Sequence, residues 1–205
     1  VKRIKDGVNL TFSNGEQEKF DHVVICSHAP QAMKMLTEKT NKELELLGHF
    51  KTSKNRMVLH SDKNLMPNKL KTWSSWNFRS PSQLNELDQV ASVTYWMNRL
   101  QGIDRKFPIF ATLNPLSEPD LSKVHAEFEY SHPIFNKVSF QAQRQMDSIQ
   151  GEGGVWYAGA WLGYGFHEDG LTSGLRVVDA LVGRPEWAKN IPPFFPRSSF
   201  LKAAE

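Results

Sequence analysis

The segment from Gly159 to Gly174 contains five glycines, and two acidic residues, Glu168 and Asp169, lie within it. Glycine has no Cβ, so it lets the backbone approach a ligand closely and adopt a positive φ. Five glycines lose much conformational entropy on folding, and an ordinary connecting loop rarely needs so many of them. The composition of this segment therefore indicates a backbone shaped to lie against a cofactor.

A helical pattern follows the glycines. From Leu171 apolar residues recur at helical spacing as far as Val182, and Gly183 supplies a stop. The pattern predicts a helix that begins near Gly170. The first amides of a helix lack intrahelical partners, and the macrodipole leaves roughly half a positive charge there, so this helix end suits a phosphate or an electron-rich carbonyl.

Several motifs together resemble one protein family. The runs WYAGAW (156–161) and GYGFHEDG (163–170) resemble the C-terminal flavin motif of the amine-oxidase-like FAD oxidoreductases. They look closest to the branch that in plants is fused ahead of cyclopropane fatty-acid synthases. Further matches follow in the expected order along most of the chain: DHVVICSHAP (21–30), SSWNF (74–78), TYWMNRLQ (94–101), TLNP (112–115) and HP (132–133).

The resemblance implies an FAD cofactor and hydride transfer to flavin N5 from an organic substrate, a fatty acyl chain or an amine. Amides of Gly170 or Leu171 would face the N1 and O2 edge of the flavin, where negative charge builds on reduction. Amine oxidases proper hold a lysine near N5, but no segment here matches that motif, so the catalytic residue stays unassigned. The residues that the resemblance places at the cofactor are Val1, at the adenine, and Gly159, Ala160, Gly163, Tyr164, Gly165, Phe166, His167, Glu168, Asp169, Gly170 and Leu171.

One element of the family pattern is absent from these 205 residues. Proteins of this type hold the FAD pyrophosphate on a strand, a GxGxxG turn and a helix near the N-terminus. No GxGxxG occurs in the sequence, which starts with valine in what reads as a β-meander. We therefore expect this chain to be the C-terminal portion of a longer flavoprotein, whose N-terminal Rossmann part is its partner.

The sequence predicts a mixed α/β (α+β) fold, with part of a layered FAD-binding domain and an inserted, mostly antiparallel substrate-domain sheet. Residues 1–47 form a meander, a strand and a helix of the FAD domain, and 48–150 form the sheet domain with a helix. Residues 151–190 form the closing motif and helix, and 191–205 an extended tail. The strands predicted in the sheet are 56–60, 71–78, 91–97, 109–113 and 124–130.

Aromatic residues cluster within two of these strands. Trp73, Trp76, Tyr95 and Trp96 are predicted to line an apolar substrate pocket, because large rings bury much area at little entropic cost. Ordinary core packing is the alternative for each of them. A pocket of this kind would suit a long apolar substrate, and the fusion partner of the plant proteins points, by analogy, to fatty acyl chains.

Other functional interpretations of the polar residues are weaker. Carboxylates beside a helix N-terminus usually cap the helix or complement its dipole, so capping by Glu168 and Asp169 competes with flavin contact and proton transfer. Hydrolysis by the same two carboxylates is disfavoured, since sequence neighbours rarely face each other across a scissile bond. Metal binding is disfavoured at His167, which lacks a second histidine one helical turn on, and along 125–129, where alternating His and Glu read as a solvated strand face.

Composition limits the other classes of function. The net charge is +3 and the basic residues are scattered, so nucleic-acid binding is not expected. Cys26 is the single cysteine, which excludes an internal disulfide and fits a reducing, cytoplasmic compartment; we expect it to be buried at the end of a strand. No apolar stretch approaches the ~20 residues of a membrane-spanning helix. The alternative to the enzyme is a cofactor-free, truncated module that binds a lipid or a protein.

Overall fold

The computed structural model describes residues 1–80 and 92–191, so most of the predicted tail and Ala91 lie outside it. The predicted mixed α/β (α+β) class is confirmed, with antiparallel sheets and five α-helices among the described residues. In chain order the elements are β1 (Lys2–Ile4), β2 (Gly7–Thr11), β3 (Gln17–Phe20), β4 (Val23–Ile25), α1 (Ala29–Met35), α2 (Asn41–Gly48), β5 (Lys51–His60), β6 (Trp76–Arg79), β7 (Ser92–Trp96), α3 (Met97–Gln101), β8 (Phe110–Leu113), β9 (Val124–Ile134), α4 (Lys137–Gln143), β10 (Val155–Tyr157) and α5 (His167–Val182).

The chain forms two compact units. The first contains Val1–Thr52 and the described residues from Pro133 onwards, and the second contains the described part of Ser53–His132. The second boundary lies at 132/133, near the end of β9, and helix α4 groups with the first unit. No helix in the described ranges has the length and apolar character needed to cross a bilayer.

The first unit combines an antiparallel meander, β1-β2-β3, with a parallel pair formed by β4 and β10. Val155, Trp156 and Tyr157 of β10 lie opposite the three residues of β4, and Val155 and Tyr157 are fully buried. The continuous apolar run 23–26 predicts a strand covered on both faces, but Val24 is 40% exposed. Cys26 is also exposed, contrary to the expectation that it is buried. Within the described residues this strand therefore has one uncovered side.

A buried carboxylate ties three segments of this unit together. Glu43 on α2 is fully buried and accepts hydrogen bonds from the Arg3 guanidinium of β1 and the Tyr157 hydroxyl of β10. It also caps its own helix, since its other oxygen accepts the Thr40 N–H at 2.9 Å while the Thr40 hydroxyl accepts the Glu43 N–H at 3.2 Å. Arg3 donates further to the carbonyl of Glu152 at 3.0 Å. The meander, α2 and β10 therefore share one charged, fully satisfied cluster.

The second unit is built on a five-stranded sheet in the order β6-β7-β8-β5-β9, with antiparallel pairing from β6 through to β5. The predicted strand 71–78 starts only at Trp76, because Leu70–Thr72 forms a 3₁₀ turn. Similarly, Met97 opens helix α3 instead of ending β7. Trp73, Trp96 and Phe110 pack together beneath one face of this sheet, with the Trp73 ring centroid 5.2 Å from that of Trp96 and 5.6 Å from that of Phe110.

A polar strip crosses that buried face beside the aromatic rings. His60 is fully buried; its Nδ1 accepts the N–H of Asp62 at 3.1 Å, so its Nε2 carries the proton and donates to the Thr112 hydroxyl at 2.7 Å. The Thr112 and Thr94 hydroxyls lie 2.9 Å apart. Burial lowers the pKa of His60 below its ordinary value, more than the charge of Asp62 raises it. The strip is therefore a neutral, hydrogen-bonded part of the core.

We expect Glu43→Gln to lower the free energy of unfolding by about 3 kcal/mol. The amide leaves Arg3 without its countercharge and disrupts the acceptors of a buried cluster. Denaturant unfolding at neutral pH measures the effect. The matched control is Glu45→Gln, on the exposed side of the same helix, which should change the stability by less than about 0.5 kcal/mol.

The same variant has a defined pH signature. Burial raises the pKa of Glu43, but hydrogen bonds from Tyr157, Arg3 and Thr40 outweigh burial and hold the pKa below its ordinary value. The carboxylate therefore stabilises the fold above the unfolded-state pKa of about 4.3, and this contribution is lost as the pH falls through the lower folded-state pKa. Acid destabilisation should be shallower in Glu43→Gln than in the unsubstituted protein; equal slopes would contradict this role.

Candidate functional site

The glycine-rich segment forms a short, highly braced connection between β10 and α5. Gly159 adopts a φ of 151°, and its N–H donates to the hydroxyl of Ser173 on α5 at 2.8 Å. A 3₁₀ turn at Ala160–Leu162 follows, with the side chain of Trp161 buried against Phe50, ring centroids 4.5 Å apart. The first residues of the loop, Gly159 to Leu162, are therefore held in place by contacts with the core.

Two side chains hold the outer part of this loop. The Gln143 amide on α4 donates to the carbonyls of Trp161 and Gly163, both at 2.8 Å. From the other side, one carboxylate oxygen of Asp169 accepts the N–H groups of Tyr164 and Phe166, both at 2.9 Å. Asp169 thus caps α5 and braces the loop, as in the capping alternative that the sequence analysis gave for this carboxylate. Flavin contact and proton transfer by this carboxylate stay predictions.

The helix begins three residues earlier than the sequence pattern predicts. α5 starts at His167, and the N–H groups of Asp169 and Gly170 already donate to the Phe166 carbonyl at 3.1 and 3.3 Å. The prediction that Gly170 or Leu171 presents a free amide is therefore wrong, because both lie inside the hydrogen-bonded helix. Among the described residues, the N–H groups of His167 and Glu168 have no hydrogen-bond acceptor.

These two amides define the chemistry of the loop. His167 and Glu168 occupy the first two positions of a sixteen-residue helix, where N–H groups point away from the helix and the macrodipole is positive. Both side chains are exposed, as are the rings of Tyr164 and Phe166. The Tyr164 ring rests on Phe140, with centroids 5.9 Å apart. The arrangement can bind an electron-rich, planar group through two main-chain donors and flanking aromatic rings.

The glycines of the loop are required mainly by packing inside the protein. A Cβ on Gly163 would lie 2.1 Å from an Asp169 carboxylate oxygen, and one on Gly159 would lie 2.5 Å from the Trp161 indole nitrogen. A Cβ on Gly165 would meet the Phe135 ring at 3.2 Å. The glycines therefore let the bracing side chains reach the backbone, and they shape the loop that presents the helix amides.

Val1 lies outside this arrangement. Its amino group donates to the Met35 carbonyl at 2.7 Å, and its carbonyl accepts the N–H of Thr37 at 2.9 Å. Both backbone groups that the family resemblance assigns to the adenine thus have partners within the first unit.

A second candidate feature is an apolar groove on the open face of the sheet in the second unit. It has a volume of about 470 Å³, and none of its described lining residues is charged. Its floor is Ala111, which lies opposite Tyr95 on β7 and Leu59 on β5. The full set of lining residues is Met57, Leu59, Trp76, Tyr95, Met97, Leu100, Ala111, Phe128 and Tyr130.

The structure divides the four aromatic residues predicted to line one pocket. Trp76 and Tyr95 form an edge-on pair at 5.6 Å in the groove, and Trp76 is 63% exposed. Trp73 and Trp96 lie beneath the opposite face of the sheet, in the core with Phe110. The prediction of a single pocket is wrong because Tyr95 and Trp96 are consecutive in a strand, where neighbouring side chains point to opposite faces.

Several important residues escaped the sequence analysis. Gln143 braces the glycine loop from α4 and Ser173 braces it from α5, and no local pattern marks either residue. The groove residues Phe128 and Tyr130 do carry a signal, since they alternate on the strand face opposite Glu127 and Glu129. Those two glutamates ion-pair with Arg56 at 2.7 Å and with Lys54 at 2.9 Å, respectively. No group of three potential metal ligands occurs among the described residues.

Comparison with solved structures identifies a similar fold. The chain resembles the crystal structure of a CLA-producing fatty acid isomerase from P. acnes, with a TM-score of 0.60 and 12% sequence identity. The match covers 88% of this chain and 46% of that chain, so this chain spans less than half the length of its structural neighbour. At this identity the likeness shows the fold alone. No family model and no curated protein sequence matches the chain.

The loop can be tested with two glycine substitutions. We expect Gly163→Ala to lower the free energy of unfolding by at least about 2 kcal/mol, because the new methyl group displaces the Asp169 carboxylate from its two N–H donors. Gly174→Ala is the control: its Cβ meets nothing within 4 Å, and removing a helical glycine should stabilise the chain by about 0.5–1 kcal/mol. Equal effects in denaturant unfolding would contradict the bracing role.

Proposed function

We propose that this chain is the C-terminal part of an FAD-dependent oxidoreductase that acts on a lipid substrate. The observation that carries the proposal is the pair of His167 and Glu168 amides, which stand without acceptors among the described residues at the end of a braced loop. When bound, FAD supplies a ring that accepts hydride at N5 from an organic substrate. A fatty acyl chain is the substrate class we favour over an amine.

The residues present fit such a cofactor. The first two amides of α5 would stabilise negative charge on the pyrimidine edge of a flavin, as main-chain donors do at other developing anions. The exposed rings of Tyr164 and Phe166 would contact its planar surface. One oxygen of the Asp169 carboxylate is already engaged by two N–H groups of the loop.

The groove of the second unit supports the lipid substrate class. Its lining side chains come from all five strands and α3, and four inter-strand steps of about 4.8 Å give it a length of about 19 Å. An extended long-chain acyl group has comparable dimensions and would remove the exposed Trp76 ring from water. An amine substrate would add a cation, for which the described lining residues offer no carboxylate. The fatty acid isomerase with a similar fold agrees with this class.

The parallel pair in the first unit supports the expected N-terminal partner. Parallel sheets are normally covered on both faces and extend over more than two strands. The outer edge of β10 is occupied, because the Gln150 side chain exchanges two 2.8 Å hydrogen bonds with the backbone of Tyr157. β4 has no strand on its other side among the described residues, and Val24 there is exposed. We propose that a strand of the pyrophosphate-binding part of the same protein pairs with this edge.

A cofactor-free lipid-binding module is the second candidate, since the groove in the second unit needs no flavin. A visible absorption spectrum of the purified full-length protein separates the two. A flavin spectrum that fatty acids bleach under anaerobic conditions supports the enzyme. A colourless protein that takes up no FAD and still binds fatty acids supports the module.

The donor amides can be removed one at a time. In His167→Pro the helix is preserved, since proline suits the first helical position and Phe166, at φ −88° and ψ 160°, has the geometry of a residue before proline. We expect the lost N–H to weaken FAD binding by roughly tenfold. His167→Ala, which keeps the amide, should bind FAD normally in the same absorbance titration. Equal FAD affinity of the two variants would show that the His167 amide does not contribute to FAD binding.

A substitution at Ala111, on the floor of the groove, tests whether the groove binds the substrate. We expect Ala111→Phe to fill the space between Tyr95 and Leu59 and to slow bleaching of the flavin by a fatty acid at least about tenfold, because the chain loses its apolar contact area. The flavin spectrum and the binding of FAD should be unchanged. Ala111→Ser, which keeps the side chain small, is the control. Normal turnover in Ala111→Phe would place the substrate elsewhere.

A further inference from the structure

A separate cavity opens on the first unit, where α1, α2 and the start of β5 meet. Its volume is about 530 Å³. The apolar part of its wall is formed by Pro30, Met33, Leu47 and Phe50, of which Leu47 and Phe50 are buried core residues. The cavity shares no residue with the glycine-rich loop or with the groove of the second unit.

The charges around this cavity have one sign. Lys34, Lys39 and Lys51 line it, and its lining within residues 1–80 and 92–191 includes no aspartate or glutamate. The Lys39 ammonium is fixed in place by donating to the Leu36 carbonyl at 2.8 Å. Lys34 and Lys51 are exposed, and neither forms an ion pair within the described ranges 1–80 and 92–191. Three ammonium groups thus surround an apolar wall without a carboxylate to neutralise them.

This combination has a specific complement. An apolar wall alone would accept any hydrophobic side chain, and lysines alone would be an ordinary solvated surface. Together they match a molecule with one anionic end and one apolar chain, since lysine keeps its ammonium in water while its methylenes extend the apolar surface. A flexible ammonium with three rotatable donors suits a compact carboxylate.

We propose that this cavity binds a free long-chain fatty acid as a monomer, with its carboxylate among Lys34, Lys39 and Lys51 and its chain against Pro30, Met33 and the edge of Phe50. The site is distinct from the groove that we assign to the substrate, and it binds whether or not the protein carries a flavin. It gives the protein a second receptacle for the same class of molecule.

Binding is measured in the full-length protein carrying Ala111→Phe, so that the groove of the second unit is filled. Oleate, kept below its aggregation concentration, is titrated by calorimetry. We expect one saturable site. Lys34→Glu combined with Lys51→Glu should weaken its affinity at least about tenfold, because two attractive charges become repulsive. The control, Lys34→Arg with Lys51→Arg, keeps both charges and should bind as before.

A footprint locates the site independently of affinity. Oleate should slow acetylation of Lys34 and Lys51, followed by mass spectrometry, and leave the exposed Lys5 and Lys19 of the same unit unaffected. Methyl oleate, which lacks the charge, should protect neither. Three results overturn the proposal: no saturable binding, equal affinity of the glutamate and arginine variants, or protection by anionic vesicles but not by monomeric oleate.

The two lipid assignments fail separately. Loss of bleaching in Ala111→Phe with Lys34 and Lys51 still protected supports both sites. Normal bleaching in that variant removes the groove from the proposed function, and an intact footprint then still supports the lysine site. A colourless protein that takes up no FAD would contradict the proposed flavin enzyme. The oleate titration would then still test the lysine site.

Discussion

The carboxylate of Glu43 is the point at which the first unit is held together. It is fully buried and receives hydrogen bonds from Arg3, Thr40 and Tyr157, which lie far apart in the sequence. Burying a charge is costly unless all its lone pairs accept hydrogen bonds. The three donors to Glu43 must therefore keep the positions in which they reach the carboxylate. Burial and this hydrogen bond also raise the pKa of the Tyr157 hydroxyl, which keeps its proton for Glu43. The position of β10, from which the glycine-rich loop starts, depends on this cluster.

From that fixed strand the loop reaches α5 with very little freedom. Gln143, Ser173 and Asp169 take up its backbone groups, and the small size of Gly163 allows the Asp169 carboxylate to come close. The result is a rigid approach to the first two amides of a long helix. Preorganised main-chain donors need no rearrangement when charge develops nearby, which is the reason this geometry suits a redox cofactor. The Asp169 carboxylate in the first turn of α5 contributes to this rigidity through its two hydrogen bonds to the loop.

We propose that each unit offers an apolar surface to a lipid, and the two surfaces differ in their polar surroundings. The described lining of the groove around Ala111 carries no charge and would suit the middle of an acyl chain. The cavity beside Phe50 is surrounded by Lys34, Lys39 and Lys51 and suits the carboxylate end. The same apolar contacts would draw a fatty acid to both, so the charged rim decides which part of the molecule is recognised.

The sequence by itself determined the mixed α/β class, the helix after the glycines and most strands of the sheet, because glycine content and side-chain periodicity are local properties. It did not determine where α5 begins, since the Phe166 carbonyl and the Asp169 carboxylate extend the helix to His167 and thereby engage the Gly170 amide. It also grouped Tyr95 with Trp96, which strand geometry sends to opposite faces. Gln143 and the lysine-lined cavity carry no sequence pattern. They arise only when distant segments pack, because tertiary structure decides which side chains share a surface.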